Sequence, residues 1–166
     1  MVDTAAPPSA AAGAARPDAG VRALGYVTTR EGEPLKHRSL REQMAAIDEL
    51  CGRRGWELVE IVRDVESPHV DGLDRPGLAY AVGRVERGDA SCLIVAQLGR
   101  LSRSPDGLSR TLDRVAGSHG RLVVMDLDID TAGRTGRVAA DALIAVTGWE
   151  RERLVERARG EPAPKR

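Results

Sequence analysis

From Val21 to about Arg159 the chain alternates short apolar runs with segments whose apolar residues recur every three or four positions. That order predicts helices interleaved with the strands of a largely parallel sheet. The first strand is read at Val21–Thr28, and "SLRE" opens the first helix, with Ser39 and Glu42 spaced as a capping box. Leu40, Met44, Ile47 and Leu50 form one apolar stripe, and Gly55 ends the helix. "WELVEIV" from Trp56 is a second strand, followed by a loop from Asp64 to Asp74. Pro76 sits in the first turn of a second helix marked by Leu78, Val82 and Val85, which stops at Arg87.

The uninterrupted apolar run Cys92–Ala96 reads as a central strand covered on both faces. Leu108, Leu112 and Val115 mark the next helix, "RLVVMDL" from Arg121 a fourth strand, and a long last helix begins near Thr135. The expected fold class is therefore α/β, with a mostly parallel sheet of four to five strands. The last helix is mostly apolar from Val138 to Val146 and mostly charged from Glu150 to Arg159, so it is expected to start on the body and project from it. Residues 1–20, rich in Ala, Pro and Gly and without period, are expected to form a disordered tail. Residues 21–160 then make one domain, and 161–166 a second short tail.

Composition narrows the chemistry. The 166 residues carry 25 basic and 25 acidic side chains, so no net field draws the protein to DNA or an anionic membrane, and anion binding must come from local clusters. Lysine occurs only at Lys36 and Lys165, leaving arginine, whose planar fork suits phosphate, as nearly all the basic charge. Cys51 and Cys92 stand in apolar surroundings without metal-site spacing, as free thiols of a reducing cytosol. No secretory or membrane-spanning segment is visible, which points to a bacterial cytoplasmic protein. His37, His69 and His119 are scattered, and neither a Walker phosphate loop nor a dinucleotide-binding glycine pattern is present. Neither a metal nor a cofactor is expected.

In an open parallel sheet, ligands meet the loops beyond the carboxyl ends of the strands. Thr28, Thr29 and Arg30 lie beyond the first strand, Asp64, Glu66 and Ser67 beyond the second, and Arg100, Ser102 and Arg103 beyond the third, with Arg75 opening the helix between. Several arginines and small oxygen ligands on one rim suit a phosphodiester. A solvated rim of mutually paired charges is the alternative.

The order "GY", "SLREQ", "RRGWELVEIVRD", "LDRPGL", "LGRLSRS" and "GWERERLVER" resembles the catalytic domain of the serine recombinases, the resolvase and invertase family, over about Leu24 to Arg157. The resemblance implies the three-layer resolvase fold with its long C-terminal helix. It also implies a serine nucleophile just after the first strand, ringed by arginines. By residue, Asp64 and Ser67 match the second-loop aspartate and serine, Arg75 the arginine of D-R-x-G-L, and Arg100 and Arg103 the pair in L-D-R-L-x-R. Glu150 and Arg151 match the E-R of the long helix.

The departures fall at the chemistry. Where the family reads Y-x-R-x-S, this chain reads Tyr26, Val27, Thr28, Thr29, Arg30, and Gly99 stands for the aspartate of L-D-R-L. Arginine is always protonated and offers only donors, so Arg30 is no nucleophile. Thr28 shares the face of Arg30 but sits two residues back, roughly 6–7 Å away, and Thr29 points to the opposite face. No helix-turn-helix domain is expected after the long helix.

The leading expectation is a recombinase-like protein without strand cleavage. It would keep a phosphate-binding rim of Arg30, Asp64, Ser67, Arg75, Arg100 and Arg103, and act through weak, non-specific DNA-backbone contact or protein contact. Leu143, Val146, Trp149 and Leu154 would meet a second copy or another recombinase, the earlier ones alternatively packing on their own domain. An active recombinase or nicking enzyme using Thr28 or Ser67 is the runner-up, and a small phosphate- or nucleotide-binding module the third reading.

Overall fold

The computed structural model describes residues 18, 20–30, 39–142 and 144–145. Apart from Asp18 and Gly20, both expected tails fall outside them, as do Leu143, Val146, Trp149, Glu150, Arg151, Leu154 and the side chain of Arg30. Five strands, β1 (Arg22–Arg30), β2 (Glu57–Glu66), β3 (Cys92–Val95), β4 (Arg121–Val124) and β5 (Ile129–Asp130), form one sheet in the order β2-β1-β3-β4-β5. All neighbours are parallel except β4 and β5. Helices α1 (Leu40–Arg54), α2 (Pro76–Glu86) and α3 (Pro105–Gly117) connect the parallel strands, and residues 134–142 are helical again.

Local sequence accounts for the helix ends. Ser39 and Glu42 form the reciprocal capping box of α1, and Gly55 closes it in the left-handed conformation at φ 67°. Pro76 begins α2, and Ser104 caps α3 through the Gly107 amide.

Two cores lie on opposite faces of the sheet. Val21, Ala23, Val27, Cys92, Ile94 and Val123 pack with Ile47, Leu50 and Cys51 of α1, while Leu24, Tyr26, Leu93 and Val95 pack with α2 and α3. The alternation along β1 thus feeds both layers. Gly25 lets α1 lie close on the sheet, since a Cβ there would stand 3.1 Å from both Ile47 and Ile61. Both cysteines are buried in the α1-side core, and burial pushes the Cys92 thiol up to about 12.

The structure departs from the sequence pattern at three strand ends. β1 runs two residues past Thr28, and β2 runs to Glu66 rather than Val62, because the two pair in register from Leu24–Glu60 to Arg30–Glu66. Asp64 is therefore a strand residue, not a loop residue. β4 ends at Val124; Met125–Leu127 turn as a 3₁₀ helix, and Asp128 at φ 51° reverses the chain into β5.

Candidate active site at the switch point

α1 crosses one face of the sheet and α2 the other, so the chain leaves β1 in one direction and reaches β3 on the opposite side. A crevice opens at the carboxyl ends of such a strand pair. β1 delivers Thr28 to this point, β2 delivers Glu66, and the 3₁₀ turn Leu98–Arg100 after β3 delivers Arg100.

These three side chains form one buried cluster. The Thr28 hydroxyl donates to Glu66 Oε1 at 2.5 Å. Arg100 Nη1 reaches the same oxygen at 3.3 Å and Thr28 Oγ1 at 3.4 Å. Arg100 and Glu66 side chains are each 2% exposed, and Thr28 is fully buried. Gln97 Oε1 accepts from Arg100 Nε at 3.1 Å and fixes the guanidinium plane. The backbone of Thr28 is held by Gln43, whose Nε2 donates to Thr28 O at 2.9 Å while its Oε1 accepts the Thr28 amide at 3.3 Å.

A second cluster lies against the first. Arg75, 1% exposed, donates through Nη1 to the Arg100 carbonyl at 2.5 Å and to the Tyr26 hydroxyl at 3.4 Å, and through Nη2 to Asp71 at 3.0 Å. Tyr26 in turn donates to Asp64 at 2.9 Å, and Asp64 accepts the Gly77 and Leu78 amides at the start of α2. Burial is the main force raising the Tyr26 pKa, with the Arg75 hydrogen bond working against it. Its phenol stays a donor to Asp64.

Asp71 ties the loop after β2 to the loop after β3. It accepts from Ser102 Oγ at 2.5 Å, from the Arg103 amide at 3.0 Å and from Arg75. Burial alone would raise its pKa. The hydrogen bonds from Ser102 and the Arg103 amide, and the charges of Arg75 and Arg103, override that and hold it at about 2. Arg103 folds over the same loop, its Nη2 donating to the carbonyls of Ser67, Pro68 and Val70 at 3.0–3.3 Å. With a side chain 40% exposed, it alone of Arg75, Arg100 and Arg103 presents a substantially wet guanidinium.

Thr28, Asp64, Arg75 and Arg100, separate in sequence, thus meet in one hydrogen-bonded assembly, with Arg103 and Ser67 on its outer side. Arg75 and Arg100 turn inward on protein acceptors rather than outward on the rim. Asp71 and Gln43 were not singled out by sequence, and Glu66 was placed on the rim without a role. The signals for two of them exist: Val62, Asp64 and Glu66 share the β2 face of Tyr26 and Thr28, and Asp71 precedes Arg75 by four residues. Among the described residues no cluster of three or more His, Cys, Asp or Glu could hold a metal, and no helix is long and apolar enough to cross a membrane.

The family model "Resolvase, N terminal domain" matches residues 26–165. Among solved structures, the N-terminal catalytic domain of TP901-1 integrase is similar at 23% identity and a TM-score of 0.66, over 79% of this chain and 97% of that one. A resolvase family site-specific recombinase from Streptococcus pneumoniae is similar at 19% identity and a TM-score of 0.65, over 83% and 93%. The C-terminal catalytic domain of ISC1926 TnpA, an IS607-like serine recombinase, follows at 18% identity and a TM-score of 0.53, over 76% and 80%. No curated protein matches the chain. At these identities the structural likenesses speak to the fold alone.

Proposed function

Because the chain belongs to the resolvase family of serine recombinases, we propose that it is a recombination protein that does not itself cut DNA and acts through contact with the DNA backbone or with another recombinase. The observation that carries this reading is Arg30 at the end of β1, a permanent cation in the position of the family's nucleophilic serine. Neither substitute hydroxyl is well placed. Thr28 has a carboxylate to take its proton but is fully buried. Ser67 is partly exposed, but its hydroxyl accepts from the His69 amide and no described carboxylate or imidazole accepts from it.

DNA contact would rest on the outer, wetter side of the assembly, where Arg103 lies, and would be weak because the chain has no net charge. Partner contact would use the helix that begins at residue 134 and the residues beyond it, Leu143, Val146, Trp149 and Leu154, joined to a second copy or a related subunit. Such work belongs in the cytoplasm, where the DNA is.

The test is incubation with supercoiled plasmid followed by denaturation. We expect neither nicked circles nor a strand carrying covalent protein at any protein concentration. A phosphoserine or phosphothreonine adduct overturns the reading. Mass measurement of the protein alone and mixed with a full-length recombinase of the same cell tests the partner half; two unassociated species in the mixture and a monomer alone count against it.

A further inference from the structure

If strand cleavage has been lost, as proposed above, the switch-point crevice no longer needs to admit a phosphate, and its present contents take on meaning. We infer that the crevice is an oxyanion site whose occupant is the protein's own Glu66 carboxylate, so that phosphate-class anions enter it only when that carboxylate is removed.

The position of Glu66 carries the argument. It is the last residue of β2, on the sheet's edge strand, where its neighbour Val65 is 72% exposed. A glutamate at such a strand end reaches water at no cost, yet this one is buried to 2% side-chain exposure. Burying a carboxylate carries a heavy desolvation penalty unless close donors compensate. Donors to it include the Arg100 guanidinium at 3.3 Å and the Thr28 hydroxyl at 2.5 Å, both converging on one oxygen. A guanidinium and a hydroxyl aimed at a single oxygen are the donor set that a phosphoryl oxygen also takes.

The surroundings are built for an anion. Arg75 lies behind Arg100, bonded to its carbonyl, and the Glu66 charge acts on Arg75 as well. Gln97 orients Arg100, and Gln43 fixes the backbone of Thr28. Truncating Glu66 would therefore leave a hollow beside the Arg100 guanidinium and the Thr28 hydroxyl, with Arg75 behind them. A small tetrahedral oxyanion matches both the charge and the donors of the carboxylate it would replace.

Thermal unfolding of the full chain in inorganic phosphate, against chloride of equal ionic strength, tests this. Wild type should show no phosphate-specific rise in Tm. Glu66→Ala should show a saturable rise of about 3–6 °C at tenfold over the half-saturating concentration. The double variant Glu66→Ala/Arg100→Leu, which removes both charges together, should fold without any phosphate response. If Glu66→Ala is unfolded in phosphate-free buffer, phosphate should restore its near-ultraviolet dichroism. A wild type that responds as strongly as Glu66→Ala, a response that survives loss of Arg100, or a Glu66→Ala protein neither stabilised nor refolded by phosphate overturns the inference. The plasmid assay on the same wild-type preparation reads the loss of cleavage separately, so either idea can fail alone.

Discussion

The Ser102 hydroxyl donates to the Asp71 carboxylate across 31 residues of sequence, at 2.5 Å. With the Arg103 amide and Arg75 on the same carboxylate, this contact joins the loops that follow β2 and β3. Asp71→Asn keeps the shape but removes the charge from a set of charge-assisted hydrogen bonds, and should lower stability by about 1–3 kcal/mol. Urea unfolding checks this; an unchanged midpoint would mean that the two loops are held by other contacts.

Asp71 and Asp130 are both held at about 2, against an ordinary 3.8. For Asp130, burial opposes the shift and hydrogen bonds from Arg121 and Arg54 overcome it. A carboxylate whose folded pKa lies below its unfolded one adds stability that is full above the unfolded value and lost as pH falls through the folded value. These contributions should therefore be intact above about pH 4 and gone below about pH 2. Between those limits the urea midpoint of the wild type should fall more steeply than that of Asp71→Asn/Asp130→Asn. Parallel curves would assign the acid sensitivity to other groups.

Gln43 is fully buried and satisfies both backbone groups of Thr28, where β1 runs past the end of β3. Gln43→Leu preserves volume and leaves a buried amide and a buried carbonyl without that partner, at about 1–3 kcal/mol each. We expect a loss of about 2–6 kcal/mol and faster hydrogen exchange at Thr28. Unaltered exchange there would show that β1 is held without Gln43.

Reversal of the family departures should be gated by Glu66. Thr28→Arg, Arg30→Ser and Gly99→Asp together restore the family's residues, and Gly99 has no atom within 4 Å of a built Cβ, so the aspartate fits. The triple variant should remain unable to nick supercoiled DNA while the Glu66 carboxylate occupies Arg100. Adding Glu66→Ala should produce nicked circles. Nicking by the triple variant alone would show that the carboxylate is no barrier.

Any DNA affinity should fall steeply with salt, because phosphate contact releases counterions. Arg103→Ala should reduce the slope of log affinity against log salt by about 1 and weaken all sequences alike. A change in sequence preference would point to base contact instead.

The elements were legible in the sequence because their signals are local: the Ser39–Glu42 capping box, Gly55, Pro76 and the Leu108-Leu112-Val115 stripe each act within a turn or two. The ends of β1 and β2 were not, because Thr29, Arg30, Asp64 and Glu66 are polar and read as loop. The burial of Thr28, Asp64 and Glu66 is made tolerable by Arg100 and by the α2 amides, partners 13 to 72 residues away. The inward turn of Arg75 and Arg100 was hidden for the same reason: an arginine reads as surface until its acceptors are located. Residue types at the site could be read, but which way they face is a product of the fold.

The two native thiols lie in the α1-side core, Cys92 with its ionisation pushed far above neutrality. A thiolate is the reactive form, so the folded protein should ignore maleimides at pH 7. A single cysteine introduced at Val138, 63% exposed on the last described helix, then becomes a clean attachment point for a fluorophore or cross-linker on the face proposed to meet a partner, with no need to remove either natural cysteine.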